Sequence, residues 1–359
     1  MKRMIYTDDP QRELWSLLGL FESKKFVSER LRKVFPSISN DKVEIRTDEI
    51  TYSIRQAREY FFSSDQVSLL TRPLLLSYGM LNLSKALVYY KSREDTCFEK
   101  YFKVHGLNFV KSTTNNSLAT ECIEIKKSGV FVGLTSIFNQ ISYPDTRISL
   151  KNLLSQVPDL YDMYCYVYNE RPNVKFLKSS KHCYSIGDAN EYYEQYKEKI
   201  ERIKEYLDEN EIRVQTYQWD EYFNVDLYLN MKDSLKSIDL SLPSISGLDY
   251  FRFPLADSKL FILKEIAIHY LLIFSYGMLA RYNAPKWGQY VDPNLSNEAE
   301  LIRKSIQVSK IRYLQLLVNS LFDEEFQFSN SVEKEEKNFD NLYRKIKDML
   351  YKDMQRELL

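Results

Sequence analysis

The pentapeptide Ser-Tyr-Gly-Met-Leu occurs twice in this chain, at 77–81 and at 275–279, and each copy follows an apolar run. A glycine inside a helix costs about 1 kcal/mol relative to alanine, so a repeated helical glycine needs a packing reason, such as a close approach of two backbones. The repeat therefore predicts two central apolar helices, over about 66–90 and 257–282, that pack face to face.

The two central segments differ in their sequence features: the second is bounded by charged residues, and the first contains a proline. The second contains the longest uncharged apolar stretch, 266–280, bracketed by Glu265 and Arg281. Its 15 residues fall short of the ~20 that span a bilayer, so we expect a buried helix and no membrane. In the first segment, Pro73 predicts a kink or break at Arg72, because proline disfavours helix at the preceding residue.

Apolar residues at helical spacing predict further helices towards both ends of the chain. Pro36 ends the first of these patterns, and Asn297 with Glu300 resembles a capping box at the start of a later one. The final helix carries one apolar stripe, which we expect to dock on the rest of the chain because exposed stripes are the exception. These predicted helices cover 11–35, 51–62, 297–322 and 333–357.

The middle of the chain has a pattern typical of β-structure. Alternating residues at 121–126, a Lys-Ser-Gly turn and an apolar run at 130–132 indicate one hairpin. Residues 163–168 and 174–177, with a turn-like segment between them, indicate a second. A charged, exposed helix is predicted at 189–208, and further strands at 211–217 and 222–230.

These patterns together predict a mainly α (α+β) fold with three parts. A helical part covers 1–107, and a β-rich middle region with an exposed helix covers 108–250. A second helical part, 251–359, is expected to pack back on the N-terminal helices.

Composition limits the classes of function. The chain has 50 Lys and Arg against 50 Asp and Glu, so it would bind nucleic acid only through a local patch. With 9 glycines it has neither of the two commonest glycine-rich nucleotide-binding motifs. The 4 cysteines form no C-x-x-C pair, and the opening residues lack the apolar run of a secretory signal. We therefore expect reduced thiols and a cytoplasmic location.

Polar residues on the two central helices define a candidate site. They are Tyr78, Asn82 and Lys85 in the first helix and Glu265, His269 and Tyr276 in the second, with Arg72 and Arg281 at the helix ends. Spacings of i, i+4, i+7 and i, i+4, i+11 place each set on one helix face. Because a buried cation is costly unless it is paired, we expect these groups to converge on partners or to line a cavity.

Two interpretations of this candidate site stay open. In the functional one, Glu265 orients His269 as a general base. Arg72, Lys85 and Arg281 then supply positive charge for a phosphate or a carboxylate. In the structural one, Lys85 or Arg281 pairs with Glu265 and nothing binds, because ion-pair networks imitate functional sites.

The other histidines give weaker indications. His105 lies in a predicted loop and is a second candidate catalytic residue; the alternative is that it caps backbone groups. His182 and Cys183 are adjacent, but no second pair stands at zinc spacing, so we predict no metal site.

One short motif is similar to a metal-dependent nuclease pattern. It consists of Glu124-x-Lys126 on a predicted strand, with Asp95 as the upstream acid. Such triplets are common on exposed strands, so a short match without its structural context supports no assignment.

Several blocks of the sequence resemble, in order, the signatures of the YaaC-like proteins of bacteria. They are Arg-Pro-Leu-Leu-Leu-Ser-Tyr-Gly-Met at 72–80 with Leu-Ser-Lys-Ala at 83–86, His-Gly-Leu at 105–107, Glu-Ile-Lys-Lys-Ser-Gly-Val-Phe at 124–131, and Ile-His-Tyr-Leu-Leu at 268–272 with Met-Leu-Ala-Arg-Tyr at 278–282 and Trp287. The stretch 15–31 resembles the first helix of the family more loosely.

The resemblance implies no particular activity, because the family has none assigned. It does place part of the candidate site on family motif positions. These residues are Arg72, Tyr78, Lys85, His105, His269, Arg281 and Trp287. Some relatives carry a basic run after the His-Gly pair, whereas 108–117 is nearly neutral in this chain.

Three functions are therefore compared. The favoured one is an accessory protein that binds a nucleotide or nucleic acid, for example in antiphage defence, because its 28 tyrosines and cationic site residues suit bases and phosphates. The second is a hydrolase or nuclease that uses His269 or His105 with a carboxylate. The third is a protein-interaction subunit that docks a partner through 333–357. The sequence names no cofactor and no oligomeric state.

Overall fold

The computed structural model describes residues 2–93, 102–110, 117–138, 144–176, 178–179, 183–185, 212–219, 222–229, 241–245, 248–253 and 263–329. The predicted helices at 189–208 and 333–357 lie outside these residues. Within them helices predominate over small sheets, so the predicted mainly α (α+β) fold is confirmed.

The helices of the described residues fall into an N-terminal group, a short middle group and a C-terminal group. They are α1 (Pro10–Gly19), α2 (Lys24–Val34), α3 (Asn40–Asp65), α4 (Arg72–Lys91), α5 (Val130–Ile137), α6 (Leu150–Leu154), α7 (Tyr161–Tyr168), α8 (Glu265–Tyr282), α9 (Ala284–Val291) and α10 (Ala299–Phe322). Short 3-10 helices cover Leu20–Glu22, Leu118–Thr120 and Pro158–Leu160.

The strands form small sheets around the helices. They are β1 (Lys2–Tyr6), β2 (Leu107–Val110), β3 (Cys122–Ile125), β4 (Arg147–Ser149), β5 (Val174–Phe176), β6 (Lys178–Ser179), β7 (Cys183–Ser185), β8 (Ile212–Trp219), β9 (Tyr222–Leu229), β10 (Ser241–Pro243), β11 (Asp249–Arg252) and β12 (Glu325–Ser329). The sheet orders are β1-β12, which is parallel, and β2-β3-β4, β10-β11-β5 and β6-β7-β9-β8, which are antiparallel.

The N-terminal helices differ from their predicted bounds. The single helix predicted at 11–35 is divided into α1 and α2, because the hydroxyl of Ser23 accepts from Phe26 N and starts a new helix. The helix predicted at 51–62 extends over all of α3, whose buried stripe begins at Val43. The polar residues around that stripe concealed its first turns.

Helix α4 runs without the predicted kink. It begins at Arg72, so Pro73 lies in the first turn, where its missing N–H has no helical partner to lose. The segment predicted over about 66–90 is helical only from Arg72, so the predicted break falls at the start of α4 and the predicted helix before it, at 66–71, was wrong.

The two central helices pack against each other, as the repeated pentapeptide predicted. A Cβ on Gly277 of α8 would lie 2.7 Å from Ser77 Oγ and 3.3 Å from Pro73 O on α4. Gly79 of α4 has a different neighbour, because a Cβ there would lie 2.6 Å from Phe61 Cδ2 on α3. The two copies of the motif therefore permit close approaches to two different helices.

Both predicted hairpins of the middle region were wrong in one arm. Strand β3 is present, but residues 130–132 open helix α5 after Gly129, whose φ is 137°. Residues 163–168 belong to α7, whereas 174–177 contains the predicted strand, β5. Short apolar runs suit a buried helix as well as a strand, so periodicity did not separate the two. The predicted strands at 211–217 and 222–230 are confirmed and pair as β8 and β9.

Helix α10 joins the parts of the core. Its buried face contacts α8 and α4, and one hydrophobic cluster runs from Leu14 of α1 to Phe326 of β12.

The predicted capping box is absent: Glu298 is the N-cap of α10 and forms no side-chain bond to that helix. Its carboxylate instead accepts from Leu118 N and Ala119 N, at the start of a 3-10 helix.

Among the described helices, none has the length and apolar character to cross a membrane.

Candidate functional site

A small cleft opens between α4 and α8, beside the loop that precedes β2. The space between its walls is about 320 Å³ when the open solvent at its mouth is included, so the cleft is shallow. It is lined by Leu74, Ser77, Tyr78 and Leu81 of α4, by Phe274, Gly277, Met278 and Arg281 of α8, and by His105. Tyr78, Arg281 and His105, three of the predicted site residues, are thereby brought together.

Within the lining of the cleft, α4 and α8 approach each other closely at Ser77 and Gly277. The Ser77 hydroxyl donates to Leu74 O at 2.7 Å, so this wall keeps its hydrogen bond within α4. The cleft has an apolar lining from Leu74, Leu81, Phe274 and Met278, and its polar side chains are Ser77, Tyr78, His105 and Arg281.

Arg281 and Tyr78 form the polar rim. Arg281 Nη1 donates to Tyr78 Oη at 2.6 Å. The guanidinium carbon also lies 4.9 Å from the centre of the Tyr282 ring, and the Tyr78 ring stacks on Tyr60 with centroids 5.7 Å apart. Because the Tyr78 oxygen accepts from Arg281, its own O–H is left to donate, and the guanidinium has further N–H donors. This rim suits an anionic acceptor.

His105 is held in place by its backbone. Phe131 N, in the first turn of α5, donates to His105 O at 3.0 Å. Gly106 and Gly129 both have positive φ, and a Cβ on Gly129 would lie 2.2 Å from Gly106 N. Two glycines in direct backbone contact therefore fix the loop, and the imidazole lies beside Phe274, with ring centroids 5.5 Å apart.

The electrostatic environment of His105 is positive. Partial desolvation lowers the pKa of the imidazole, and the charges of Lys85 on α4 and Arg281 on α8 lower it further. Within the described part of the chain, neither Lys85 nor Arg281 forms an ion pair. Both cations therefore act on the His105 imidazole, and an anion bound beside it would favour its protonated form.

A second polar cluster, which we call the Glu265 cluster, comprises Glu265, His269, Ser309 and Arg312. His269 Nδ1 lies 3.0 Å from Ser309 Oγ, and Nε2 lies 3.6 Å from Glu265 Oε1. That oxygen also accepts from Arg312 Nε at 2.7 Å and lies 2.5 Å from Arg312 Nη2. Burial raises the carboxyl pKa, but the charge of Arg312 and the contact with His269 outweigh it and lower the pKa of Glu265 to about 2.

The Glu265 cluster has the composition of a Ser-His-carboxylate set, but it lies in the interior. His269 is 2% exposed and Ser309 0%. A nucleophile must reach its substrate, whereas these groups fill one another's hydrogen-bonding capacity between α8 and α10. The arrangement therefore favours a structural role, and catalysis by His269 stays a prediction.

Comparison with protein families gives a match over residues 20–321 to the family described as YaaC-like Protein. The chain belongs to the YaaC-like family. No curated protein and no solved structure gave a significant match. The YaaC-like match contains every residue of the cleft and of the Glu265 cluster, and it confirms the resemblance seen in the sequence.

In this YaaC-like chain, one site containing all the predicted residues does not form. Glu265 begins α8 and Arg281 lies in its last turn, 16 positions later. At about 1.5 Å per residue, they are about 24 Å apart along the helix axis. The predicted pairing of Lys85 or Arg281 with Glu265 was accordingly wrong, and Arg312 is the actual partner.

The other predicted ligand-binding residues have partners outside the cleft. Arg72 donates to Ser64 O and Val67 O and closes the end of α3, while Asn82 Nδ2 donates to Gln56 Oε1. Tyr276 Oη lies 3.0 Å from Ser305 Oγ, and the Tyr276 ring stacks on Trp287. Trp287 Nε1 donates to Leu69 O.

The nuclease-like motif has a local explanation in the YaaC-like structure. Glu124 accepts from Lys126 at 2.5 Å and from Asn108 at 3.1 Å, and these bonds lower the pKa of its carboxyl. Asp95, the proposed upstream acid, and His182 both lie outside the described residues.

Several site residues were missed by sequence reasoning. Arg312 and Ser309 complete the Glu265 cluster, and Tyr60 stacks on Tyr78. Helix α10 also carries Glu300, Arg303, Lys304 and Lys310, so no residue type in the sequence marked Arg312 as the buried partner of Glu265. Ser309 and Tyr60 carry no signal either, since serine and tyrosine suit exposed helix faces as well.

Proposed function

We propose that this YaaC-like chain binds the phosphate group of a nucleotide or nucleic acid in the cleft between α4 and α8. The proposal is carried by one observation: Arg281 and Tyr78 are hydrogen-bonded at the rim of a cleft that His105 also lines, and Arg281 has no ion-pair partner among the described residues. Because Arg281 is exposed, its remaining N–H donors can bind an anion with several acceptor oxygens from solvent.

The chemistry of each group supports phosphate rather than an uncharged ligand. Arg281 offers a planar set of donors that matches two phosphate oxygens, and the charge of Lys85, which acts on His105, adds positive potential. Tyr78 has a hydroxyl hydrogen available, and His105 becomes a donor at both nitrogens when it is protonated. The stacked rings of Tyr60 and Tyr78 beside the rim provide an aromatic surface for a base.

The zero net charge of the chain limits how many phosphates it contacts. Each phosphate that the protein neutralises changes the slope of the logarithm of the binding constant against the logarithm of the salt concentration by about −0.7 to −0.9. Binding through this cleft alone should therefore give a shallow total slope of about −1 to −2.

The test is binding of nucleotides and short labelled single strands, followed by fluorescence anisotropy. Arg281→Gln should abolish most of the binding, while Arg32→Gln, an equal charge change on the exposed side of α2, should not. Lys85→Gln and Lys33→Gln form a second matched pair. Equal binding by all four variants, or no binding by the unmodified chain, would exclude this proposal.

For the cellular setting we propose an accessory protein of the bacterial cytoplasm that acts in antiphage defence. The free thiol of Cys165 suits a reducing compartment. Plaque counts on cells that carry the chain or its Arg281→Gln variant test the setting: protection that is lost with Arg281 supports it.

A hydrolase is the second candidate, and the observation that favours it is the 3.0 Å contact between Ser309 and His269. Turnover that disappears in Ser309→Ala while the melting temperature stays within a few degrees would support it. A large loss of stability in that variant would support the structural role instead.

A further inference from the structure

Another groove, which we call the α9 groove, lies where the segment between α3 and α4 meets α9 and the start of α10. It has a volume of about 740 Å³. Its apolar lining comes from Leu69, Leu70, Pro285, Val291 and Leu295. Leu70 is 52% exposed and Leu295 is 68% exposed, so both leucines are open to solvent. Exposed apolar surface gathered in one groove is typical of an interaction site.

The polar groups around the α9 groove already have partners. Arg72 donates to two backbone carbonyls, and Asp292 Oδ1 accepts from Asn294 N at 2.9 Å. Arg303 Nε lies 3.2 Å from Glu300 Oε1. A small-molecule site usually offers a few convergent polar groups that orient the ligand. The α9 groove therefore suits a stripe of apolar side chains better than a small polar ligand.

The chain itself supplies such a stripe in the sequence that follows β12. Its members stand at helical spacing and are Phe339, Leu342, Ile346, Met349 and Leu350. Glu335 precedes the first of them by four positions and Asp353 follows Met349 by four, so acidic residues flank the stripe on the same face of the predicted helix. The α9 groove carries two arginines on its lining, Arg72 and Arg303, so the charges at its margins complement those of the stripe.

The stripe is close enough in the chain to reach the α9 groove. Phe326 N donates to Asn319 Oδ1 and Phe326 O accepts from Gln315 Nε2, so β12 runs back along α10 towards the start of that helix. Arg303, in the groove, precedes Gln315 by 12 positions, or about 18 Å along the helix axis. The last three residues of β12 cover about 10 Å of this distance. Residues 330–338 can span about 30 Å more, which also allows a path around the helix.

From the groove, the stripe and the distance between them we infer that residues 339–350, the tail segment, dock in the α9 groove of their own chain. A tethered segment has an effective concentration on the order of 1 mM, so it has an advantage over a separate partner of the same affinity. The stripe is then buried on its own chain and is not presented to another protein. This inference is independent of the phosphate site.

The test is hydrogen–deuterium exchange of the full chain, measured by mass spectrometry of its peptides. Leu295→Asp, in the groove, should raise the exchange rate of the tail segment at least about 10-fold, because the segment loses its burial. The double variant Leu342→Asp, Ile346→Asp should raise the exchange rate of the segments beside the groove, 66–71 and 292–297. A change on either surface should therefore expose the other.

Ile45→Asp is the matched control, since Ile45 is 61% exposed on α3 and does not line the α9 groove. It should leave the exchange rates of the tail segment and of the groove unchanged. Leu70→Asp is a second groove variant and should reproduce the effect of Leu295→Asp. Unchanged exchange in the core helix α4 shows that each variant remains folded.

Three results would overturn the inference. One is exchange of the tail segment at the rate of a free peptide in the unmodified chain. Another is equal protection of the tail segment in Leu295→Asp and Ile45→Asp, which would place the stripe on a different surface. The third is protection that rises with chain concentration, which would identify the occupant as the tail of a second copy. None of these measurements involves phosphate, so their failure leaves the phosphate proposal unchanged.

Discussion

Arg281 Nη1 on α8 donates a 2.6 Å hydrogen bond to Tyr78 Oη on α4, across 203 positions of the chain. Tyr78 belongs to the first Ser-Tyr-Gly-Met-Leu, and Arg281 follows the second by two residues. The glycine of the second copy brings the helices into contact, and the tyrosine of the first then meets the arginine. The repeated motif therefore brings together the two helices that form the cleft, and it supplies Tyr78, one of the two residues of the polar rim.

Gly277→Ala should destabilise the chain, whereas Gly288→Ala should stabilise it. The new methyl at 277 would lie 2.7 Å from Ser77 Oγ and 2.9 Å from Ser77 Cβ, but at 288 nothing lies within 4 Å. Overpacking costs about 1–3 kcal/mol, while alanine in an open helix position gains about 0.5–1 kcal/mol. Urea unfolding measures both changes, and a change of the same sign in the two variants would contradict the close approach.

Gly129→Ala should lower the free energy of unfolding by more than about 3 kcal/mol, because strain and overpacking add. Its φ of 137° is unfavourable for alanine, and the methyl would lie 2.2 Å from Gly106 N. The neighbouring Ser128→Ala leaves this backbone contact intact and serves as the control. Any folded Gly129→Ala protein should also bind phosphate more weakly, since the loop that presents His105 must move.

The central helices could be predicted because their evidence is local. Two long apolar segments with the same glycine indicate helices in contact, whatever surrounds them. The prediction that all the candidate polar residues line one pocket was wrong. The reason is already visible in the sequence, because Glu265 and Arg281 are too far apart along one helix to contact the same small ligand.

The remaining wrong predictions concern hydrogen-bond and ion-pair partners that cannot be identified from the sequence. Arg72 binds backbone carbonyls at the end of α3, and every residue has a carbonyl, so no residue type marks such a partner. Arg312 lies 47 positions from Glu265, and only the packing of α10 on α8 brings it near. The helices at 130–137 and 161–168 depend likewise on their burial, since their short patterns also suit strands.

Phosphate binding should strengthen as the pH falls towards the lowered pKa of His105. In the free protein, desolvation, Lys85 and Arg281 keep that pKa below 6.5. A bound anion favours the imidazolium, so binding takes up a proton. His105→Gln should flatten the profile of affinity against pH. The phosphate loses a charge near pH 6 with either protein, so the difference between the two profiles isolates the histidine. Identical profiles would show that His105 does not face the anion.

Glu265→Gln should show whether the Glu265 cluster stabilises the fold and over which pH range. The carboxylate receives two contacts from Arg312 and one from His269, so its loss leaves a buried cation uncompensated. Breaking a buried pair costs about 3–5 kcal/mol. Glu300→Gln, which removes an exposed i,i+3 pair with Arg303, is the control and should cost less than about 0.5 kcal/mol.

The sign of the pH effect follows from the pKa of Glu265, which is about 2 in the folded chain against an ordinary 4.5. A group with a depressed folded pKa contributes stability that is complete above the unfolded value and is lost as the pH falls towards the folded one. The contribution should therefore decline from about pH 4.5 downwards. Urea unfolding between pH 7 and pH 3 should show the gap between the unmodified chain and Glu265→Gln narrowing over that range. A gap that stays constant would mean that the Glu265 carboxylate is not the charged partner of Arg312.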